Sequence, residues 1–123
     1  MTLRNNLYDI KDVQKTPDGV TYSIQLNRDC IIYQVHYPGM PITPGVCIIQ
    51  IAEELLSEHL QKPLQLTSIR NAKFLSILQP TDHTVRVHLS AIKETEGKVS
   101  AKAVMDNGEE TIYAKISFTC NDV

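Results

Sequence analysis

The chain has 123 residues, 42% of them apolar and 21% charged, with a formal net charge of −2. That length supports one hydrophobic core without metal or disulfide staples, so a single domain over 1–123 is expected, and lysines and arginines scattered along a near-neutral chain argue against a nucleic-acid partner. No apolar run approaches the ~18 to 20 residues of a membrane-spanning helix, and Met1-Thr2-Leu3-Arg4-Asn5-Asn6 has no hydrophobic leader, so no membrane location is expected either.

Val20, Tyr22, Ile24 and Leu26 alternate with polar residues, the period of a half-buried strand. The turn Thr16-Pro17-Asp18-Gly19 precedes it, which makes Leu7 to Lys15 its hairpin partner. A helix is expected from Pro44 to about Leu60. Thr43 can cap it, proline suits its first position, and Pro63 stops it after ~25 Å. Its first two turns (Val46, Cys47, Ile48, Ile49, Ile51, Ala52) are apolar on almost every side, so they must be wrapped, and Gln50 is the polar residue among them. Thr67 to Leu78 reads as extended and ends at the turn Gln79-Pro80-Thr81-Asp82. Three alternating strands follow, Val85 to Ala91, Val99 to Met105 and Ile112 to Cys120, separated by Glu96-Gly97 and Asp106-Asn107-Gly108. The C-terminal half is therefore an antiparallel meander.

Chemistry concentrates in His36-Tyr37-Pro38-Gly39-Met40-Pro41-Ile42-Thr43-Pro44-Gly45, a stiff loop with three prolines and two glycines. It leads from an imidazole to a helix N-terminus, where the N–H groups of Gly45, Val46 and Cys47 lack intrahelical partners. Such a pair can remove a proton next to a carbonyl and hold the oxyanion that forms. A rigid connection with a hydrogen-bonded histidine explains the spacing equally well.

His36 to Val46 resembles the signature H-[FY]-P-G-x-P-x-x-P-G-[VC] of the 3-hydroxyacyl-[acyl-carrier-protein] dehydratases of bacterial fatty-acid synthesis, with every fixed position present. Asn71-Ala72-Lys73-Phe74 resembles that family's K-A-[KR]-F segment, and the order of elements is similar over most of the chain. The resemblance implies an α+β hotdog fold, an antiparallel sheet of five or six strands wrapped around one long central helix. It also implies a homodimer or higher oligomer with each active site at a subunit interface. The implied reaction is loss of water from a 3-hydroxyacyl thioester of acyl-carrier protein or coenzyme A, in fatty-acid, related lipid or polyketide synthesis, without cofactor or metal.

Carried over position by position, His36 becomes the base that takes the α-proton, and the Gly45 N–H holds the thioester carbonyl. Val46 and Cys47, through their N–H groups, and Tyr37 are the further substrate-binding candidates. The family's second catalytic residue, a Glu or Asp fourteen positions after the histidine, is Gln50 here, and a carboxamide has no proton to transfer at neutral pH. Four residues later the family commonly has Gln, and this chain has Glu54. The exchange invites a relocated acid at Glu54, reaching the same cavity from the adjacent turn. Otherwise Glu54 belongs to a solvated or interface row with Glu58, and Glu53 to an exposed face. A hotdog thioesterase, or a non-catalytic subunit that binds an acyl chain or carrier, are the alternatives.

The remaining candidates point elsewhere than catalysis. Cys30, Cys47 and Cys120 are odd in number and widely spaced, which suits buried thiols in a reducing cytoplasm. His59, His83 and His88 have no partner at metal-ligand spacing, and Asp82 reads as a turn residue.

Overall fold

A computed structural model describes residues 2–36, 39–81 and 83–123. Eight elements follow in chain order: β1 (Tyr8–Thr16), β2 (Gly19–Leu26), α1 (Ile31–Val35), α2 (Gly45–Leu60), β3 (Leu64–Phe74), β4 (Val85–Thr95), β5 (Lys98–Asp106) and β6 (Ile112–Asp122). All six strands form one antiparallel sheet in the order β1-β2-β4-β5-β6-β3. The expected hairpin is present, with Tyr8 opposite Leu26 and Thr16 opposite Gly19. So is the meander β4-β5-β6. Between these two units runs α2, after which the chain crosses to the far edge and lays β3 against β6. This α+β arrangement is the hotdog architecture.

Alternation places the core. Val20, Tyr22, Ile24 and Leu26 of β2, Val85, Val87 and Leu89 of β4, Val99, Ala101, Ala103 and Met105 of β5, and Ala114, Ile116, Phe118 and Cys120 of β6 are all buried on one face. Against that face α2 buries Cys47, Ile48, Ile51, Ala52, Leu55 and Leu56, a stripe of helical period. The N-terminal segment lies over another side of α2, with Leu3 and Leu7 buried and Arg4 ion-paired to Glu58 at 2.9 Å. The helix is nevertheless not wrapped throughout: Val46 is 74% exposed and Ile49 and Gln50 are half-buried. All three cysteines are buried and unpaired.

Several local expectations are corrected. The N-cap of α2 is Pro44, not Thr43, and the N–H groups of Cys47 and Ile48 both donate to its carbonyl at 3.0 and 3.1 Å. Strand β3 starts at Leu64 and ends at Phe74, earlier at both ends than the extended stretch expected from the sequence. Ala91 does not continue the buried face of β4; it sits at a register shift with φ 51° and is exposed. His88 has no sequence neighbour to pair with, yet its Nε2 lies 2.8 Å from Asp106 Oδ2 and its Nδ1 2.8 Å from Thr21 Oγ1, so three strands are clamped across the outer face. The scattered cations converge as well. Lys73 stands directly opposite Lys115, and Lys102 with Ser117 joins two adjoining shallow depressions whose linings also include Arg70 and Lys93.

Gly19 opens β2 where a Cβ would overlap the Leu89 carbonyl of β4. Backbone cannot yield as a flexible side chain does, so Gly19→Ala should lower the unfolding free energy by ~1 to 3 kcal/mol, read from the urea midpoint.

Candidate functional site

Helix α1 is a five-residue turn that ends in His36, whose N–H donates to the Ile32 carbonyl at 3.0 Å. Its position is set by Tyr33, which points inward and is 4% exposed. The Tyr33 hydroxyl and Thr43 Oγ1 are 2.7 Å apart, and the Thr43 N–H donates to the Leu78 carbonyl at 2.8 Å. Thr43 is thus a buried knot joining the turn that carries His36, the segment entering α2, and the stretch after β3. Sequence patterning assigned it a cap, because hydroxyls before helices usually cap and a long-range phenol partner leaves no local signal. Burial pushes the Tyr33 phenol up to about 12, so it stays protonated and hydrogen-bonded at neutral pH. His36 itself is exposed. Tyr37 lies outside the described residues.

At the start of α2 the Cys47 N–H is taken by Pro44, leaving Gly45 and Val46 as the outward donors of the first turn. The Phe74 ring packs on Gly45 so closely that a Cβ there would come within 3.0 Å of Cζ. Gly45, Phe74, Ile42, Ile48, Ile77 and Leu78 help line a mainly apolar groove of about 340 Å³. One turn along the helix a second cleft, about 250 Å³, is lined by Val46, Ile49, Gln50, Glu53, Leu66 and Ile69. Gln50 therefore lies in a cleft, and Glu53 shares it, where an exposed face had been expected. The signal for Glu53 was its spacing of three residues from Gln50, one turn on the same face.

Glu54 is half-buried and lines, with Glu53 and Glu58, an open cavity of about 530 Å³, and its carboxylate is engaged at both oxygens. Its Oε2 accepts the Leu3 N–H at 2.8 Å and its Oε1 the Arg4 N–H at 2.9 Å, while the Tyr8 hydroxyl donates to Oε1 at 3.0 Å. Gln50 Nε2 donates to Oε2 at 2.8 Å. The carboxylate accepts on every one of these bonds and ties the N-terminal segment to α2. Burial and the Glu54 charge both hold the Tyr8 phenol well above its usual range, so it remains the donor. Among the described residues no group of three His, Cys, Asp or Glu side chains could hold a metal ion, and no helix is long and apolar enough to cross a membrane.

The model of the ApeI-like family, described as ApeI dehydratase, matches residues 12–116. A 3-hydroxyacyl-[acyl-carrier-protein] dehydratase FabZ of Clostridium acetobutylicum is 32% identical over 95 residues, which cover 71% of this chain and 67% of that protein. The chain thus spans about two thirds of the length of the curated relatives it matches. Among solved structures, the dehydratase heterocomplex ApeI:P of Xenorhabdus doucetiae superposes with a TM-score of 0.68 at 18% identity, covering 93% of both chains. An acyl-CoA hydrolase of Agrobacterium tumefaciens gives 0.54 at 18% identity, covering 89% of this chain and 45% of the other. These structural likenesses establish the fold.

The buried phenols and thiols set an alkaline limit. Tyr33 and Cys120 are pushed up to about 12, and Tyr8, Tyr22 and Cys47 are raised too, in each case chiefly by burial. Between pH 9 to 10 and 12 the unfolded chain releases these protons while the folded chain keeps them, so stability present below pH 9 falls as pH rises. Urea midpoints measured from pH 8 to 11 should decline, and Tyr33→Phe should make the decline shallower above pH ~10.

Proposed function

Because the chain belongs to the ApeI-like dehydratase family, we propose that it eliminates water from a 3-hydroxyacyl thioester, or adds it in reverse, with the acyl group on an acyl-carrier protein or coenzyme A. The observation that carries this reading is the Tyr33–Thr43 knot, which couples the turn bearing His36 to the segment entering α2. In the proposed step the thioester carbonyl accepts from the Gly45 and Val46 N–H groups. His36 takes the α-proton made acidic by that carbonyl, and enolate charge develops where the helix end is positive. Gln50 orients the 3-hydroxyl, and its carboxamide is held by Glu54. The acyl tail has an apolar groove beside Gly45 and Phe74. Fatty-acid or related lipid synthesis in a reducing cytoplasm is the setting we infer, consistent with three unpaired cysteines.

We further propose a homodimer. Strand β3 is an edge of the sheet, with one row of backbone donors and acceptors left without a strand partner, and its exposed apolar side chains Ile69 and Phe74 lie beside Val46 and Gly45 of α2 respectively. A second copy would cover these residues and bring its own His36 toward this chain's cleft. Hydrolysis of the thioester is a second reading, because a carboxylate, Glu53, stands in the cleft with Gln50 and could activate water.

One assay separates these. Purified protein given 3-hydroxyacyl and enoyl thioesters should interconvert them without releasing thiol. His36→Ala should cut the rate by ~10² to 10⁴ with an unchanged unfolding midpoint. Thiol release instead of water loss would favour hydrolysis, and full turnover by His36→Ala would remove the histidine from the mechanism. Light scattering at micromolar concentration should give twice the chain mass, and a strict monomer would contradict a shared site.

A further inference from the structure

Dehydration moves two protons, and the proposed residues account for one. The α-proton goes to His36, but the departing 3-hydroxyl must gain a proton to leave as water, and the Gln50 carboxamide cannot supply it. We propose that Glu53 is the acid that protonates this hydroxyl, an inference that rests on the dehydratase reading of the site.

The argument is one of placement. Glu53 follows Gln50 by three residues and lines the same cleft, whose other walls, Val46, Ile49, Leu66 and Ile69, are aliphatic. The carboxyl is held there by a bond of its own, since Oε2 accepts the Leu66 N–H at 2.5 Å. β3 is an edge of the sheet, where alternate backbone N–H groups face away from β6 and have no strand partner. Glu53 also borders a wider cavity of about 530 Å³, lined among others by Arg4, Glu54, Glu58 and Lys62. A carboxyl that borders both an aliphatic cleft and a polar cavity roomy enough for water delivers a proton on one side and is reloaded on the other. Glu54, one residue on, is committed to Leu3, Arg4, Tyr8 and Gln50.

The step balances. His36 removes the α-proton, the electrons of that C–H bond form the new C=C bond, and the C3–O bond breaks as oxygen takes the Glu53 proton and leaves as water. Imidazolium then returns its proton to solvent while the Glu53 carboxylate regains one, so no net charge accumulates.

Glu53→Gln tests this, because the amide oxygen still accepts the Leu66 N–H and the fold should be unchanged by urea midpoint. The variant should lose ~10² to 10⁴ in elimination of water from a 3-hydroxyacyl thioester. It should eliminate chloride from the matching 3-chloroacyl thioester at close to the wild-type rate, because chloride departs without a proton. His36→Ala should lose both reactions. Equal loss on both substrates by Glu53→Gln would make Glu53 a structural residue, and an unaltered rate on the hydroxy substrate would exclude it from proton transfer; either result overturns the inference while leaving the dehydratase reading intact. Wild-type protein that turns over neither substrate would overturn both.

Discussion

A helix apolar on most of its circumference cannot lie on a surface, and the enclosure of α2 decides much else in this molecule. The sheet covers the stripe Cys47, Ile48, Ile51, Ala52, Leu55 and Leu56, and the N-terminal segment covers a second side through Leu3 and Leu7. What remains open is the row Val46, Ile49, Gln50 and Glu53, at helical spacings of three and four. The same row forms one wall of a cleft whose other wall is the edge strand β3. Apolar surface left bare beside an unpaired strand edge is unstable in water, so this side of the helix is the one that calls for a partner or a ligand. Core demand and candidate chemistry therefore meet on a single helix face.

The N-terminal segment is kept in place by an unusual convergence. Residues before a first strand have backbone donors with no ladder to join, and Leu3 and Arg4 find theirs on Glu54. Tyr8, fully buried, adds its phenol, and Gln50 its amide. An acceptor-only side chain is suited to four donors; a glutamine at position 54 could offer one oxygen and would bring two donors of its own. This gives a structural reason for the carboxylate at 54 and the carboxamide at 50. Exchanging the two along the helix leaves one hydrogen bond between them and reverses which residue needs the donors.

Much of this was legible in the sequence where the signal is local. Alternation in 20–26, 99–105 and 112–120 placed three strands because one face of each is buried, and the apolar run after Pro44 identified the central helix because nothing else could tolerate it. The loop from His36 carried its family pattern in adjacent residues. Helix α1 was not legible, since five residues show no helical period. Nor was the role of Thr43, whose partners Tyr33 and Leu78 lie 10 and 35 residues away, nor the break at Ala91, where alternation continues on paper through a register shift. The cationic patch of Arg70, Lys73, Lys93, Lys102 and Lys115 exists only after four strands are laid side by side. Apart from α1, each miss concerns an interaction between distant segments.

Adjacent residues on a helix point about 100° apart, and Glu53 and Glu54 show what that rotation does to chemistry. Identical side chains one position apart share one cavity but meet different hydrogen-bond partners. Glu54 turns toward a backbone rich in donors and becomes an anchor, its oxygens occupied on both sides. Glu53 accepts the N–H of Leu66 on the edge strand and lies beside Gln50 in a cleft whose other walls are aliphatic. In the proposed reaction Gln50 has no proton to give, and helical geometry leaves Glu53, not Glu54, in the cleft beside it.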